Sequence, residues 1–476
     1  MGKLRGGEPL GGGEQFKLTL LLAWPSILAQ LAMCLMSYID AAMVGRLGSP
    51  QAAAIGLVST TTWIFGSFCY ANSSGFSVQI AHRCGAKDFA GARRIFRHGI
   101  FVAGAVSVLL ALLAVAIHGA LPRWLGGTPE ILADASDYFL VYALFLPLLQ
   151  FAIFSEASLI ASGNVKIPGI VSIAMCVLDV IFNYLLIFVA GLGVRGAALG
   201  TGLSTASAGA FLLWYSTRRS SELRQEGSWL RPALRVLGGI RTLRTEAQTA
   251  ESLFDREQKD IFRQAFGISW PLWLQNLVSR GAYIAATVLV APLGTVAIAA
   301  NSFAIIAEGF CYLPGYGMED SATTLVGQSL GAKRPDMARR FAWITIGTGA
   351  AMMTLLAVLM WLFAPQVMGL LSPDPEVVAL GAKCLRIEAW AELLYGVSIV
   401  AYGCCVGAGD TLVPSAINLL SMWVIRLGLA LFLIPRYGLA GYWFAMAFEL
   451  SVKGIIFAVR IARGRWIRTR LTAGII

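Results

Sequence analysis

Asp40 stands near the far end of an apolar stretch running from about Leu18 to Val44, and past Lys17 it is the only charge there. An ionised side chain at bilayer depth costs about 2.5–3.5 kcal/mol on the mildest scale, so such residues mark ion sites, proton relays or substrate paths. The plain alternative for Asp40 is a buried structural hydrogen-bonder. Glu308, in a later apolar stretch, falls near Arg280 by depth in a neighbouring span. Either the two form an ion pair or they handle substrate or ion. Glu156, Glu388, Glu392, Arg426, Glu449 and Lys453 also lie in apolar stretches and are expected to pair with one another, because unpaired charges are rare at that depth. Enzyme chemistry finds no support. No phosphate-binding G-x-x-x-x-G-K-[ST] and no H-E-x-x-H is present, and His82, His98 and His118 are too widely spaced for a single-helix metal motif. The eight cysteines lack metal-ligand spacing and read as free thiols packed as small apolar residues.

The elements that must position these groups are membrane spans. Of 476 residues, 57% are hydrophobic and 13% charged, with mean hydropathy +0.71. A soluble domain carries about 25% charged residues. A spanning helix needs about 20 apolar residues, and twelve segments qualify: 18–44, 53–80, 95–121, 131–155, 166–190, 196–216, 264–290, 297–327, 341–369, 378–403, 412–434 and 439–461. Residues 1–13 are Gly-rich and expected to be disordered, and no secretory cleavage pattern follows. Lys and Arg concentrate in alternate connections: Lys3/Arg5/Lys17, Arg83 to Arg97, Lys166, the 218–263 linker, Lys333 to Arg340, and the 464–476 tail. The opposite connections hold only Arg46, Arg123, Arg195 and Arg436. The positive-inside rule then puts both termini and the linker in the cytoplasm of a multi-pass protein of the cell (inner or plasma) membrane. The net charge of +11 is a topology signal and calls for no nucleic-acid partner. The Arg218–Arg244 stretch reads either as a segment lying on anionic headgroups or as a solvated linker.

The chain also repeats itself. Trp24-Pro25 recurs as Trp270-Pro271, Leu47-Gly48 as Leu293-Gly294, Gly85-Ala86-Lys87 as Gly331-Ala332-Lys333, and Gly163 and Pro168 as Gly409 and Pro414. Each pair is 246 residues apart. Six spans in each half return the chain to its starting side, so the halves, 14–217 and 264–463, run parallel about a pseudo-two-fold axis along the membrane normal. Repeated bundles rocking about a shared cavity are a transporter design. Asp40 has no twin, since Ala286 occupies its mate's position, and Asp179 would fall on Ile425. Symmetric positions are expected to serve packing and rocking, and the unduplicated carboxylates chemistry.

Four segments then resemble one family. Tyr38-Ile39-Asp40-Ala41-Ala42-Met43-Val44-Gly45-Arg46-Leu47-Gly48 resembles the end of the first helix of MATE (multidrug and toxic compound extrusion) transporters. Gly193-Val194-Arg195-Gly196-Ala197-Ala198, Leu325 through Lys333, and Gly407-Ala408-Gly409-Asp410-Thr411 with Pro414 resemble later turns of that family in the same order. The resemblance implies an all-α fold of two parallel six-helix lobes and a cation-driven exporter of organic, often cationic, compounds. It also implies a coupling site in the first lobe, closest to the DinF-type branch. That site would be Asp40 with Asp179 and Asn183 of the fifth span and Thr201 and Ala197 of the sixth, the Asn and Asp standing in exchanged order. An i, i+4 pair shares one helix face, so both can point at Asp40. The second-lobe acids of the NorM-type branch are replaced by Ser279 and Tyr395.

Two occupants fit such a site. Carboxylate, amide and hydroxyl oxygens suit Na+, and close carboxylates in a dry place share a proton. No other cofactor is called for. The expected partners are small organic molecules and lipid, with the chain working as a monomer. A lipid-linked precursor flippase is the alternative within the same superfamily and calls for a cavity rich in Arg and Lys. A membrane-embedded enzyme or a receptor is the alternative from another class; the first lacks a catalytic motif, the second an external ligand domain.

Overall fold

Apolar runs of this length have one stable answer in lipid, because backbone groups without water must bond within their own segment. The computed structural model describes residues 1–6, 8, 10–225 and 248–467, and every regular element among them is helical. The long helices are α1 (Gly12–Gly45), α2 (Ser49–Gly85), α3 (Phe89–Ile117), α4 (Leu132–Ala161), α5 (Lys166–Tyr184) and α6 (Gly193–Arg218). The second half follows with α7 (Gln248–Val290), α8 (Thr295–Gly331), α9 (Pro335–Leu371), α10 (Pro375–Glu388 with Glu392–Gly407), α11 (Leu412–Tyr437) and α12 (Leu439–Arg463). Ten are long and apolar enough to cross a membrane, and the two pieces of α10, bent by 60°, make an eleventh. The twelfth, α12, has 25 residues and carries Glu449 and Lys453 inward. Local chemistry sets several boundaries. The Asp88 carboxylate accepts from Gly91 N at 2.8 Å to start α3, and Asp374 accepts from Glu376 N at 2.9 Å to start α10.

Two expectations about the ends change. Residues 1–13 do not stay structureless: Gly2–Gly6 is a short helix whose Leu4 is fully buried, and α1 begins at Gly12. Docking of one leucine and one arginine gives this Gly-rich stretch its order. The 218–263 linker is also shorter than expected, because α7 starts at Gln248 and its 43 residues outrun the bilayer. Most of the Arg218–Arg244 stretch lies outside the described residues.

The repeat is visible in the backbone. Lys87 and Lys333 are the non-glycine residues with left-handed φ, at 59° and 58°, each ending the helix that precedes it. Their helices, α2 and α8, meet at the basic end of the molecule in a contact made twice. A Cβ on Gly85 would lie 2.1 Å from the Gln328 carbonyl oxygen, and one on Gly331 would lie 1.9 Å from that of His82. His82 and Gln328 are themselves repeat mates. His82 Nε2 donates to Gly407 O at 2.8 Å, and Gln328 Nε2 donates to Ala161 O at 2.7 Å, again mates. Glycine lets the two backbones touch, and two side chains of one length then tie each lobe to the other. The seam between lobes is therefore closed at the basic end.

The second lobe buries an ion cluster of its own. Between α5 and α6 in the first half, and within α11 in the second, the helices loosen into π turns, Leu185–Val189 and Ser421–Arg426. The second of these turns presents Ser421 and Arg426 to Glu449 of α12. Arg426 donates from Nε at 3.2 Å and from an Nη at 2.7 Å, Ser421 Oγ at 2.6 Å, and Lys453 Nζ lies 3.4 Å away. The expected mutual pairing of buried charges holds for these three residues.

Four variants test these contacts by thermal unfolding of the purified protein. Gly331→Ala should destabilise by about 1–3 kcal/mol through overpacking. Gly347→Ala, whose Cβ meets nothing within 4 Å, should be neutral or slightly stabilising; equal midpoints would disprove the close seam. Glu449→Gln leaves two buried cations unpaired and should cost about 3–5 kcal/mol, while replacing Arg426, Glu449 and Lys453 together by apolar residues should lose far less.

Candidate ion-coupling site

Three helices of the first lobe bring the unduplicated polar residues together. Asp40 lies in the last turns of α1, five residues before Gly45. Asp179 and Asn183 are one helical turn apart on α5, and the Asn183 Nδ2 donates to Asp179 Oδ2 at 2.9 Å. The same nitrogen donates to Asp40 Oδ1, also at 2.9 Å. Helix α6 approaches through glycine: a Cβ on Gly200 would stand 2.0 Å from Asn183 Oδ1, and one on Gly196 would stand 2.7 Å from Leu186 O. One turn beyond Gly200, Ser204 Oγ lies 2.9 Å from Asp179 Oδ1, to which it donates, and 3.0 Å from Thr201 O.

Asp179 is fully buried, Asn183 is 1% exposed and Asp40 is half-buried. Among the described residues no Lys or Arg pairs with either aspartate, while Tyr138 and Cys176 sit within electrostatic reach of both. Two carboxylates sharing one amide with no base carry two negative charges in an apolar lobe, and a bound proton or cation relieves that charge. Asn183 Oδ1 is buried with no hydrogen-bond partner, so one oxygen acceptor is left over. Among the described residues no cluster of three or more His, Cys, Asp or Glu could hold a metal ion.

Of the residues expected here, Asp40, Asp179 and Asn183 converge. Exchanging the Asn and Asp positions leaves the amide between the carboxylates, because both lie on one face of α5. Thr201 comes close through its backbone carbonyl, and the hydroxyl that reaches Asp179 belongs to Ser204. Ala197 is buried one turn earlier on α6 and offers only packing. Ser204 could have been found from its spacing, since it stands on the face of α6 that carries Ala197, Gly200 and Thr201.

Glu308 and Arg280 do not meet. Arg280 faces α2, where its guanidinium lies 5.0 Å from the Trp63 ring centre. Glu308 is 7% exposed and turned into the second lobe, within electrostatic reach of Arg426, Glu388 and Glu392. Each residue thus faces other partners, Trp63 for Arg280 and the Arg426 side of the second lobe for Glu308. Glu388 and Glu392 flank the bend of α10 within side-chain hydrogen-bond reach of each other, and no Lys or Arg pairs with them among the described residues. Glu156 is held by the Ser172 hydroxyl at 3.0 Å, with no base. Tyr312 packs against Tyr316 and Tyr395 beside Glu308. All eight cysteines are free, and seven of them are buried.

Comparison with known proteins agrees with this architecture. A probable multidrug resistance protein NorM of Pseudomonas aeruginosa is 27% identical over 93% of this chain and 88% of its own length. The multidrug resistance protein MdtK of Yersinia pestis is 24% identical over 96% of both. These relatives carry NorM and MdtK names, whereas the first-lobe site residues resembled those of the DinF-type branch. Among solved structures, a mutant of the Vibrio cholerae MATE transporter VcmN superposes with a TM-score of 0.85 at 20% identity, covering 97% of this chain and 99% of that one. A MOP superfamily transporter from Pyrococcus furiosus gives 0.83 at 19% identity, with 96% and 97% covered. The MatE family model matches twice, at residues 25–185 and 271–432, and the two matches start 246 residues apart, the offset of the repeat seen in this sequence. The chain belongs to the MatE family of transporters.

Proposed function

We propose that the chain is a cation-coupled antiporter that exports organic cations, driven by H+ or Na+ entering through the Asp40–Asn183–Asp179 site. The observation that carries this reading is the shared amide: two carboxylates from different helices, joined through Asn183, with no base among the described residues to neutralise them. An ion bound there removes the charge that ties α1 to α5. Its influence on the lobes equals its difference in affinity between their two arrangements. While the site is ionised, its charge attracts an organic cation; once filled, it does not. Relatives named for multidrug resistance support the substrate class. In this reading the protein lies in the inner membrane as a monomer in lipid, with its basic ends and both termini cytoplasmic. The closed seam then faces the cytoplasm.

The test is export of a fluorescent organic cation from cells or proteoliposomes under an imposed proton or sodium gradient. Asp40→Asn should abolish gradient-driven export while leaving the protein folded; full export by that variant would sink the coupling role. The gradient that drives the wild type identifies the ion. Ser204→Ala should raise the ion concentration needed for half-maximal export by about tenfold, the usual effect of removing a group that orients a ligand. Thr201→Val should do less, because Thr201 reaches the site by its backbone.

A further inference from the structure

The short helix Gly2–Gly6 sits across the closed seam and touches both lobes. Leu4 is fully buried in a cluster with Leu22 and Val165 of the first lobe and Leu325, Met337 and Phe341 of the second. Arg5 is anchored still more closely. Its Nε donates to Gln328 Oε1 at 3.0 Å, one Nη donates to Glu222 Oε1 at 3.2 Å, and the other donates to Ser162 O. Its guanidinium carbon lies 5.6 Å from the centre of the Phe89 ring. One planar, rigid donor fork thus meets a carboxylate, an amide oxygen, a backbone carbonyl and an aromatic face together, a set that only a guanidinium satisfies.

Gln328 is the seam residue that bonds Ala161. Arg5 takes its Oε1, which leaves Nε2 turned toward the other lobe. Its repeat mate, His82, closes the other half of the seam with no such helper among the described residues. Gly163 keeps the place open: at φ 88° it has no Cβ, and one there would stand 3.3 Å from both the Arg5 guanidinium and Gln328 Nε2. Farther along, Arg334 of the second lobe donates to Glu8 O at 2.8 Å.

We propose that Phe89, Ser162, Glu222 and Gln328 form a guanidinium-binding site at the lobe seam, occupied by the chain's own Arg5, and that Gly2–Gly6 is a latch that leaves before the basic ends of the lobes part. The latch rests on the alternating-access reading above. Its occupied form holds the lobes closed at that end, and its release sets part of the barrier to opening.

Hydrogen exchange read by mass spectrometry on the full chain in lipid nanodiscs tests it without any transport measurement. In Arg5→Ala, exchange across 83–90, 159–166 and 327–334 should rise about tenfold. Arg5→Lys should give a smaller rise, since an ammonium lacks the fork, and Glu222→Gln should fall between wild type and Arg5→Ala. Added guanidinium ion should restore part of the protection in Arg5→Ala and none in wild type. Unchanged protection in Arg5→Ala overturns the latch. Loss of protection in a protein whose wild type exports no organic cation overturns the transport reading and leaves the latch standing.

Discussion

Asn183 spends one amide nitrogen on two carboxylates, one on its own helix and one on α1, and the first lobe is arranged so that it can. The i, i+4 spacing brings Asp179 under it, Gly200 leaves room for it, and Ser204 holds the far oxygen of Asp179. Remove the amide and two like charges face each other with nothing between them. The contact of α1 with α5 at this depth therefore runs through a single amide, unlike the apolar packing that holds the rest of the bundle.

The second lobe solves the same burial problem unconditionally. Near the place where symmetry would put Asp179, Arg426 and Lys453 close on Glu449 from two helices. In the second lobe a buried carboxylate has Arg and Lys beside it, whereas in the first lobe no Lys or Arg pairs with Asp40 or Asp179 among the described residues. Duplication thus supplied a common frame, and the two copies diverged in how buried charge is balanced. The seam took the opposite course. Its glycines, its left-handed lysines and its two cross-lobe donors were kept in register, because a contact near a two-fold axis is made with its own mate and tolerates little independent change.

Much of this was legible in the sequence. Apolar runs of about 20 residues fixed the spans, since lipid permits few other backbones. The constant 246-residue offset gave the two-lobe frame and singled out Asp40. The i, i+4 rule put Asp179 and Asn183 on one face. Side-chain direction was harder to read. Ser204 was passed over for Thr201 three residues earlier, and only the rotation of α6 about its axis decides between them. Glu308 and Arg280 matched in depth, yet depth does not say which way a side chain leaves its helix. The docking of Gly2–Gly6 was invisible for another reason. A Gly-rich stretch with one leucine and one arginine gains its order from a pocket made largely by residues some 85 to 340 positions away.

The bare Cα of Gly200 bears on how such a site is recognised elsewhere. A chain could carry Asp40, Asp179, Asn183 and Ser204 at the same spacings and still lack the arrangement, because a single methyl group at position 200 would occupy the space of the Asn183 amide oxygen. The diagnostic pattern is thus one of absence as well as presence. It pairs polar side chains with an empty position opposite them, and a search by acidic residues alone would group together proteins that differ in this respect.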